Sequence, residues 1–427
     1  MSVSRASFVF VLLAGFAATP TLAQQRKYHG GMPSRLSLNR NNLELAWWAQ
    51  ATLDPQRDRV SHLTLDEEFT YVQSTAGTVT AINNLTGQRA WAVQFGRRDL
   101  PSFPVITNDD LVLVPVGRWL YAAKKRSGDL AWKIRMPHQP SVSPTIDSDR
   151  VFIGSERGTV IAFTLDSIQE MYERNAGPQW TDYAADWRYK AGKRIITPPI
   201  SDGNVVTFAS QNKSVYAVEV GDHALRFQLE TNDSVSAPFG YSEGLLYVAT
   251  DGYKVYCVEM QSGQLAWTFS SGTAVLQEPR IIGGQVFLCP KSGGMFCLSK
   301  YAGDRQWWTP HATGFIAASS DKIYASDARG EIIVLSRSDG TVLSAIPLLD
   351  YSIRISNDRT GRIMVANPTG RVLCLHEIGR DIPFYHRYPE RQPILPQFAP
   401  EEPEAESNEN GAEPAAPGDD AGAPEQN

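Results

Sequence analysis

The segment Gly77-Thr-Val-Thr-Ala-Ile-Asn-Asn-Leu-Thr-Gly-Gln-Arg-Ala-Trp91 contains the pattern that decides the fold. It joins a short β-branched strand to a Thr-Gly turn and then to a second strand, whose tryptophan lies four residues after the glycine. The first strand recurs along the chain, and the third residues of its copies are Val79, Leu120, Val160, Val215, Val255, Met295, Ile332 and Val372. A repeat of about 40 residues predicts a series of equivalent supersecondary units.

Each repeat also contains an apolar strand before this pattern and an entry segment that is often marked by proline, as at Pro104 and Pro144. The strands are short and rich in β-branched and aromatic residues, and turns with glycine or aspartate separate them. Helical periodicity is absent from the repeats, which argues against a helical solenoid. The fold class is therefore predicted to be all-β, an eight-bladed β-propeller of four-stranded antiparallel blades.

The turn before the tryptophan strand explains why particular residues recur. Glycine adopts positive φ in such a turn at little cost, whereas other residues lose about 1–2 kcal/mol. The tryptophan that follows is expected on the outermost strand, where it packs against the neighbouring blade. We predict that the blade-docking residues are Trp47, Trp91, Trp132, Trp187, Trp267 and Trp307, with Gly87, Gly128, Gly263 and Gly303 in the turns.

The two ends of the repeat region predict how the ring closes. The last copy of the strand, Arg371 to Leu375, is followed by no turn with a tryptophan. The missing piece precedes the first repeat, where Glu44-Leu-Ala-Trp47 matches Asp129-Leu-Ala-Trp132. We therefore expect Glu44 to Ala49 to form the outer strand of the last blade, because an open ring would leave strand edges unpaired.

The N-terminal segment has the features of a secretory signal peptide. Arg5 precedes an 11-residue apolar run from Phe8 to Ala18, and small residues follow at Thr21 and Ala23. A bilayer span needs about 20 apolar residues, so an uncleaved anchor is the weaker alternative. No cysteine follows the run for lipid attachment. The sequence predicts an exported protein without a transmembrane segment, in the periplasm or cell envelope or secreted.

Composition and these patterns together predict the organisation of the chain. The formal net charge of the 427 residues is −6, and the C-terminal tail is acidic and has no apolar residue larger than alanine or proline, so it is expected to be disordered. The near-neutral body argues against nucleic-acid binding. The predicted segments are 1–23, signal peptide; 24–43, lead-in; 44–379, propeller; 380–399, an extended strap rich in proline and aromatics; and 400–427, acidic tail.

The four cysteines fit the repeat better than they fit a chemical site. Cys257, Cys297 and Cys374 occupy the position that alanine fills in other repeats, where a small apolar residue is needed. Cys289 and Cys297 are predicted on adjacent strands of one blade and could pair, whereas the default is four buried thiols. The sequence leaves this alternative open.

A binding surface is expected in the loops, because the strands are occupied by pairing within the ring. The loops between blades and the middle turns of the blades share one face, on which basic residues outnumber acidic ones. We predict that this face binds an acidic protein segment; a solvated rim without a partner is the alternative. The candidate residues are Arg97, Arg98, Arg118, Lys193, Arg194 and Arg354.

One insertion interrupts the regular spacing, between Phe163 and Trp187. Ser167-Ile-Gln-Glu170 has the pattern of a capping box, and apolar residues follow at helical spacing. The insertion is therefore predicted to contain a short helix, whose apolar side packs on the blade or, alternatively, on a partner.

The Ala-x-x-x-x-Thr-Gly-x-x-x-Trp frame, clearest from Ala81 to Trp91, resembles the tryptophan-docking repeat of pyrroloquinoline-quinone (PQQ) propellers. The resemblance extends from about Glu44 to Leu375. It implies one of two kinds of function. The quinoprotein dehydrogenases of this superfamily bind PQQ and calcium, whereas its BamB-like branch has no cofactor and serves as a scaffold in outer-membrane protein assembly.

The residues favour the second branch. The quinoprotein enzymes carry a vicinal cysteine pair against the cofactor, and this chain has none, nor a CxxCH motif for a haem. The seven histidines lack metal-ligand spacing, and no nucleophile or phosphate-binding motif is present. We predict a non-catalytic, monomeric scaffold without cofactor or metal, which binds protein partners through its loops. The alternatives are a quinoprotein-like small-molecule site, and polysaccharide binding through exposed aromatics at Trp119, Trp180 and Trp308.

Overall fold

A computed structural model of the protein describes residues 31–98, 100–175, 181 and 185–387, and these residues form mainly short antiparallel strands. Strand β1 (Leu43–Gln50) follows helix α1 (Arg35–Arg40), and helix α2 (Leu165–Glu173) lies between the third and fourth strands of the third blade. Neither described helix has the length and apolar character needed to cross a bilayer.

The strands of the first four blades follow one another in sequence. They are β2 (Val60–Leu65), β3 (Phe69–Ser74), β4 (Thr78–Asn83) and β5 (Arg89–Gln94); β6 (Ile106–Thr107), β7 (Leu111–Val116), β8 (Trp119–Lys124) and β9 (Leu130–Arg135); β10 (Thr145–Ile146), β11 (Arg150–Gly154), β12 (Thr159–Thr164) and β13 (Trp187–Lys190); and β14 (Ile200–Ser201), β15 (Val205–Ser210), β16 (Ser214–Glu219) and β17 (Leu225–Glu230).

The other four blades have the same order, except that the last one has three strands of its own. They are β18 (Gly240–Ser242), β19 (Leu245–Ala249), β20 (Lys254–Glu259) and β21 (Leu265–Ser270); β22 (Arg280–Ile282), β23 (Gln285–Leu288), β24 (Met295–Ser299) and β25 (Arg305–Thr309); β26 (Ala312–Ala318), β27 (Lys322–Asp327), β28 (Ile332–Ser336) and β29 (Val342–Ile346); and β30 (Ile353–Arg354), β31 (Ile363–Ala366) and β32 (Arg371–Glu377).

These strands form eight four-stranded antiparallel sheets arranged in a ring, which confirms the predicted β-propeller. The last sheet has the order β1-β32-β31-β30, so the N-terminal strand completes it. Trp47 pairs with Cys374, and Gln50 pairs with Arg371. The closing strand extends one residue further at each end than the predicted Glu44 to Ala49. Because it pairs the outer edge of β32, the chain closes on itself.

Each tryptophan of the repeat pairs across the sheet with a small residue. Ala81 is opposite Trp91, and Cys297 is opposite Trp307. All four cysteines are free and buried, and Cys297 pairs with Phe287 of the adjacent strand rather than with Cys289. The Cys289–Cys297 disulfide that the sequence left open is therefore not formed. Burial raises the pKa of the Cys297 thiol to about 12, so this group is not a thiolate at neutral pH.

Four of the six predicted docking tryptophans, Trp47, Trp91, Trp267 and Trp307, lie against the glycine turn of the next blade, whereas the predicted turn residue Gly263 lies against Phe227. A Cβ atom on Gly87 would lie 2.6 Å from the Trp47 ring, and one on Gly303 would lie 2.4 Å from the Trp267 ring. Both glycines also have positive φ, at 70° and 75°. Glycine is thus required here for two reasons, the backbone conformation and the contact with the ring.

Hydrogen bonds also join these tryptophans to the neighbouring blade. The Trp47 indole Nε1 donates to the carbonyl of Asn84 at 2.8 Å, and Trp91 donates to the carbonyl of Lys125 at 2.8 Å. The Nε1 atoms of Trp267 and Trp307 donate to the carbonyls of Lys300 and Arg337. A buried indole N–H without an acceptor is destabilising, so these four bonds favour the docked position of the ring. The Nε1 atom of Trp187 is buried without an acceptor among the described residues.

The insertion in the third blade is helical, but it begins at a different residue from the predicted one. Thr164 is the N-cap, and its hydroxyl accepts a hydrogen bond from the backbone N–H of Ser167. The Ser167 capping box is therefore wrong by one turn, because the hydroxyl of Thr164 comes first at the end of β12. Ile168 is buried against Trp132 and Ile134, so the apolar side of the helix packs on the propeller.

Candidate functional site: the loop face and the central channel

The blades divide the surface into two faces. We call the side with the loops between blades and the turns between second and third strands, such as residues 95–105 and 75–77, the loop face. The turn face is the opposite side, with the turns that join first to second and third to fourth strands, such as residues 66–68 and 84–88. All six predicted binding residues lie on or next to the loop face.

Four of these residues are exposed. Arg97 and Arg98 lie in the loop between the first two blades, where the Arg98 guanidinium donates to the carbonyl of Arg57 at 2.7 Å. Lys193 and Arg194 lie in the loop between the third and fourth blades. An exposed ion pair of 3.0 Å joins Arg194 to Glu156, and such surface pairs contribute little to stability. These side chains therefore remain available to a partner.

The other two residues, Arg118 and Arg354, are half-buried and hold loops in place. The Arg118 guanidinium donates to the carbonyls of Met136, at 3.0 Å, and Pro137. The guanidinium of Arg354 donates to the carbonyls of Glu331, at 3.3 Å, and Gly330, and burial lowers its pKa. Both cations are thus directed at backbone carbonyls of neighbouring loops.

The loop face as a whole carries more exposed cations than exposed anions among the described residues. Its exposed carboxylates among the described residues are those of Asp54, Glu156, Glu230 and Asp251. Its exposed basic residues include Arg97, Arg98, Arg157, Lys193, Arg194, Lys213, Lys254, Lys291 and Arg329. Long-range attraction of an acidic partner follows from such an excess.

The central channel contains a second group of charges, which the sequence did not reveal. The first strand of each blade is innermost, as the parallel bridge between Ala317 and Asn357 of neighbouring blades shows. Arg280, on the innermost strand β22, forms ion pairs of 3.0 Å with Glu278 and 3.6 Å with Asp358. Asp358 also contacts Arg387 at 2.9 Å. Next to it, Arg359 pairs with Glu67, so the cluster joins three blades.

The enclosure of this cluster changes the pKa values of its members. Burial alone would raise the pKa of the Asp358 carboxyl, but Arg280, Arg387 and Arg359 outweigh this effect and hold it below its usual value. Burial dominates at Glu278 and raises its pKa despite the adjacent Arg280. The Asp358 carboxylate is therefore the anion on which the cluster depends.

The C-terminal segment packs at the turn-face end of the channel. The backbone N–H of His386 donates to the carbonyl of Arg359 at 2.8 Å, and Gly361 donates to the carbonyl of Phe384 at 2.9 Å. Of the predicted strap, residues 380–387 are described and make these contacts. Residues 388–399 lie outside the described part. A cavity of about 390 Å³ adjoins it, lined among others by Asp109, Asp147 and Arg387.

The residues present do not fit the PQQ cofactor of the related quinoproteins. The four thiols lie within separate strands or turns of the blades, so no vicinal pair faces the channel. Arg280, Arg359 and Arg387, which could bind the carboxylates of such a cofactor, are already paired with protein carboxylates.

The aromatic residues suggested for polysaccharide binding are not brought together. Trp119 lies on β8 of the second blade below Lys133, and Trp308 lies on β25 of the sixth blade, where its Nε1 donates to the carbonyl of Gly293. Trp180 lies outside the described residues. Trp308 has the Phe296 ring beside it, with the centroids 6.4 Å apart, but Trp119 and Trp308 lie in different blades and do not form one platform.

Comparison with known proteins settles the family. The family model described as outer membrane protein assembly factor BamB matches residues 12–224 and 211–380. The chain belongs to this family. Two BamB proteins are similar to it: that of Yersinia pestis is 24% identical over 56% of this chain and 60% of its own length, and that of Marinobacter adhaerens is 25% identical over 36% and 40%.

A relative named for an enzymatic activity is also similar to this chain. Tetrathionate hydrolase of Acidithiobacillus ferrooxidans is 22% identical over 305 residues, which are 67% of this chain and 60% of that protein. The chain thus spans about 60% of the length of the tetrathionate hydrolase and about 60% of the length of the Yersinia pestis BamB. At this level of identity, membership of the family does not by itself assign an activity.

Solved structures support the fold. BamB from Moraxella catarrhalis superposes with a TM-score of 0.60 at 15% identity, over 79% of this chain and 98% of that one. The computationally designed Ika8 protein superposes with a TM-score of 0.58 at 13% identity, over 77% and 98%. A designed protein matches almost as well as a natural BamB, so the likeness describes the fold rather than its function.

Proposed function

We propose that this BamB-family protein is a non-catalytic, exported scaffold of the cell envelope, which acts as a monomer and binds a protein partner through its loop face. The excess of exposed arginine and lysine side chains on that face is the observation that carries the proposal. A role in outer-membrane protein assembly is supported by the family and by the two BamB relatives. The partner's contact surface is expected to be acidic.

The strands provide a physical reason for placing function in the loops. Most of their backbone groups pair within a blade, and the tryptophans join neighbouring blades. The loops are under fewer constraints, so they can present cations in the directions that a partner requires. The channel is less suitable for a macromolecule, because ion pairs and the strap occupy part of it.

Charge reversal of Arg97, Arg98, Lys193 and Arg194 to glutamate is expected to weaken partner capture at least about tenfold, mainly through slower association. The measurement is affinity capture from the native cell envelope with quantitative mass spectrometry, followed by binding kinetics with the captured partner. Association of the unmodified protein should slow as salt is raised, because exposed charges are screened.

The matched control reverses four exposed basic residues on the turn-face side, namely Lys124, Arg126, Arg174 and Arg305. It changes the net charge equally, so it separates the position of the charges from their sum. Equal loss of capture by both variants, or by neither, would contradict the proposed loop-face interaction. Turnover of tetrathionate by the purified protein would contradict the non-catalytic part of the proposal.

A further inference from the structure

The junction where the ring closes brings together three potential metal ligands. Glu44 of β1 pairs across the sheet with His376 of β32, and Asp381 follows at the beginning of the strap. One ligand atom from each of these residues lies within 4.8 Å of the other two. This group joins the first strand of the ring, the last strand and the segment that leads to the channel.

Hydrogen bonding determines which nitrogen of His376 is available. The side chain is buried, with 7% of its surface exposed, and Nδ1 lies 3.0 Å from the carbonyl oxygen of Arg380. A carbonyl only accepts hydrogen bonds, so the proton is on Nδ1. Nε2 then faces the Glu44 carboxylate, with 3.5 Å between the nitrogen and the nearer oxygen. At this separation one cation can contact both atoms.

We propose that Glu44, His376 and Asp381 bind a divalent transition-metal ion of the Zn²⁺ class. Zn²⁺ takes imidazole nitrogen and carboxylate oxygen together, and a ligating histidine commonly donates its other N–H to a backbone carbonyl. The three residues provide this donor set, and a solvent molecule completes a tetrahedral ion at the half-exposed edge of the site.

The surrounding charges favour a divalent cation over a protein cation. Arg380, the nearest arginine in sequence, pairs with Glu377 at 3.2 Å and donates to Ser320. Arg362 donates to the backbone carbonyl of Asp381. Within the described residues, neither carboxylate of the site forms an ion pair with lysine or arginine. Two negative charges and one imidazole therefore remain for the ion.

Binding at this position connects parts of the chain that are far apart in sequence. Glu44 and His376 are held together only in the closed ring, so the ion binds the folded state in preference to the unfolded state. The site is therefore expected to stabilise the closure rather than to take part in a reaction, and it is independent of the proposed loop-face partner.

Isothermal titration of the purified, chelator-treated protein with Zn²⁺ tests the site. We expect a site whose affinity falls at least about tenfold in Glu44→Gln, in Asp381→Asn and in His376→Gln. Glu44 is partly exposed and Asp381 is exposed, so Glu44→Gln and Asp381→Asn are expected to fold even if the buried substitution His376→Gln prevents folding. His311→Gln, which removes an exposed histidine on the loop face, should bind Zn²⁺ like the unmodified protein.

A thermal measurement gives an independent readout. Zn²⁺ at about a hundred times its Kd should raise Tm by about 4 °C, and the increase should disappear in Glu44→Gln and Asp381→Asn. Absence of Zn²⁺ binding by the unmodified protein would overturn the proposal. Unchanged affinity in all three ligand variants would also overturn it, because the ion would then bind elsewhere.

Discussion

Replacement of Trp47 by alanine is expected to lower the free energy of unfolding by about 3–5 kcal/mol, because it removes the large side chain with which the closing strand contacts the first blade. Trp47 is 7% exposed, packs on Gly87 and donates to the carbonyl of Asn84. The loss therefore combines a cavity with an unpaired buried carbonyl. Chemical denaturation followed by tryptophan fluorescence and circular dichroism measures the change.

The neighbouring tryptophan provides the matched control. Trp48 is 52% exposed on the opposite side of the same strand, where the Arg371 guanidinium lies 5.7 Å from its ring. Trp48→Ala removes the same volume one residue away, but we expect it to cost only about 0.5–1 kcal/mol. Equal destabilisation by the two substitutions would contradict the docking account, since it would indicate a general effect on β1.

Replacement of Asp358 by asparagine is expected to destabilise the protein by about 3 kcal/mol, through the loss of the anion shared by Arg280 and Arg387. The substitution leaves the largely buried Arg280 guanidinium with less compensation, while the shape of the side chain is kept; Arg387 is 42% exposed and contributes less to the loss. The test is chemical denaturation at pH 7. Glu68→Gln is the control, because the Glu68–Arg126 pair is exposed and 3.7 Å long, and should change stability by less than about 0.5 kcal/mol.

The pH dependence of the free energy of unfolding provides a second test of the Asp358 prediction. Because the folded-state pKa of Asp358 is lowered, its carboxylate stabilises the protein above the unfolded-state pKa of about 4, and this contribution is lost as the pH falls through the lower folded value. The difference between the unmodified protein and Asp358→Asn should be constant above about pH 5 and shrink below about pH 4. A difference that grows in acid would contradict the assignment.

The fold could be predicted from sequence because each blade repeats the same local sequence signals. The turn before Trp91, the small residue opposite it at Ala81 and the matching Glu44–Trp47 segment are each readable without coordinates. Closure followed from a missing strand at one end and a spare strand at the other. The start of helix α2 could not be predicted in the same way. A Ser-x-x-Glu pattern looks the same whether or not Thr164 caps the helix first.

The channel cluster could not be predicted, because it is the part that does not repeat. Glu67, Arg280 and Asp358 belong to different blades and have no common spacing, and they meet only because the ring is closed. Glu278 illustrates the difficulty, since in sequence it belongs to the loop between the fifth and sixth blades, whereas its side chain pairs with Arg280 of the cluster. Sequence also could not distinguish exposed Arg97 from half-buried Arg118, because the difference lies in nearby carbonyls.

Hydrogen–deuterium exchange of the backbone amides of β1 tests the central claim, that the chain closes its own ring, most directly. Residues 43–50 pair with residues 371–377, so both segments should open together and show similar protection. Similar slow exchange in the two peptides, lost together in Trp47→Ala, is the predicted result. Rapid exchange of residues 43–50 beside a protected 371–377 segment would contradict closure by the N-terminal strand.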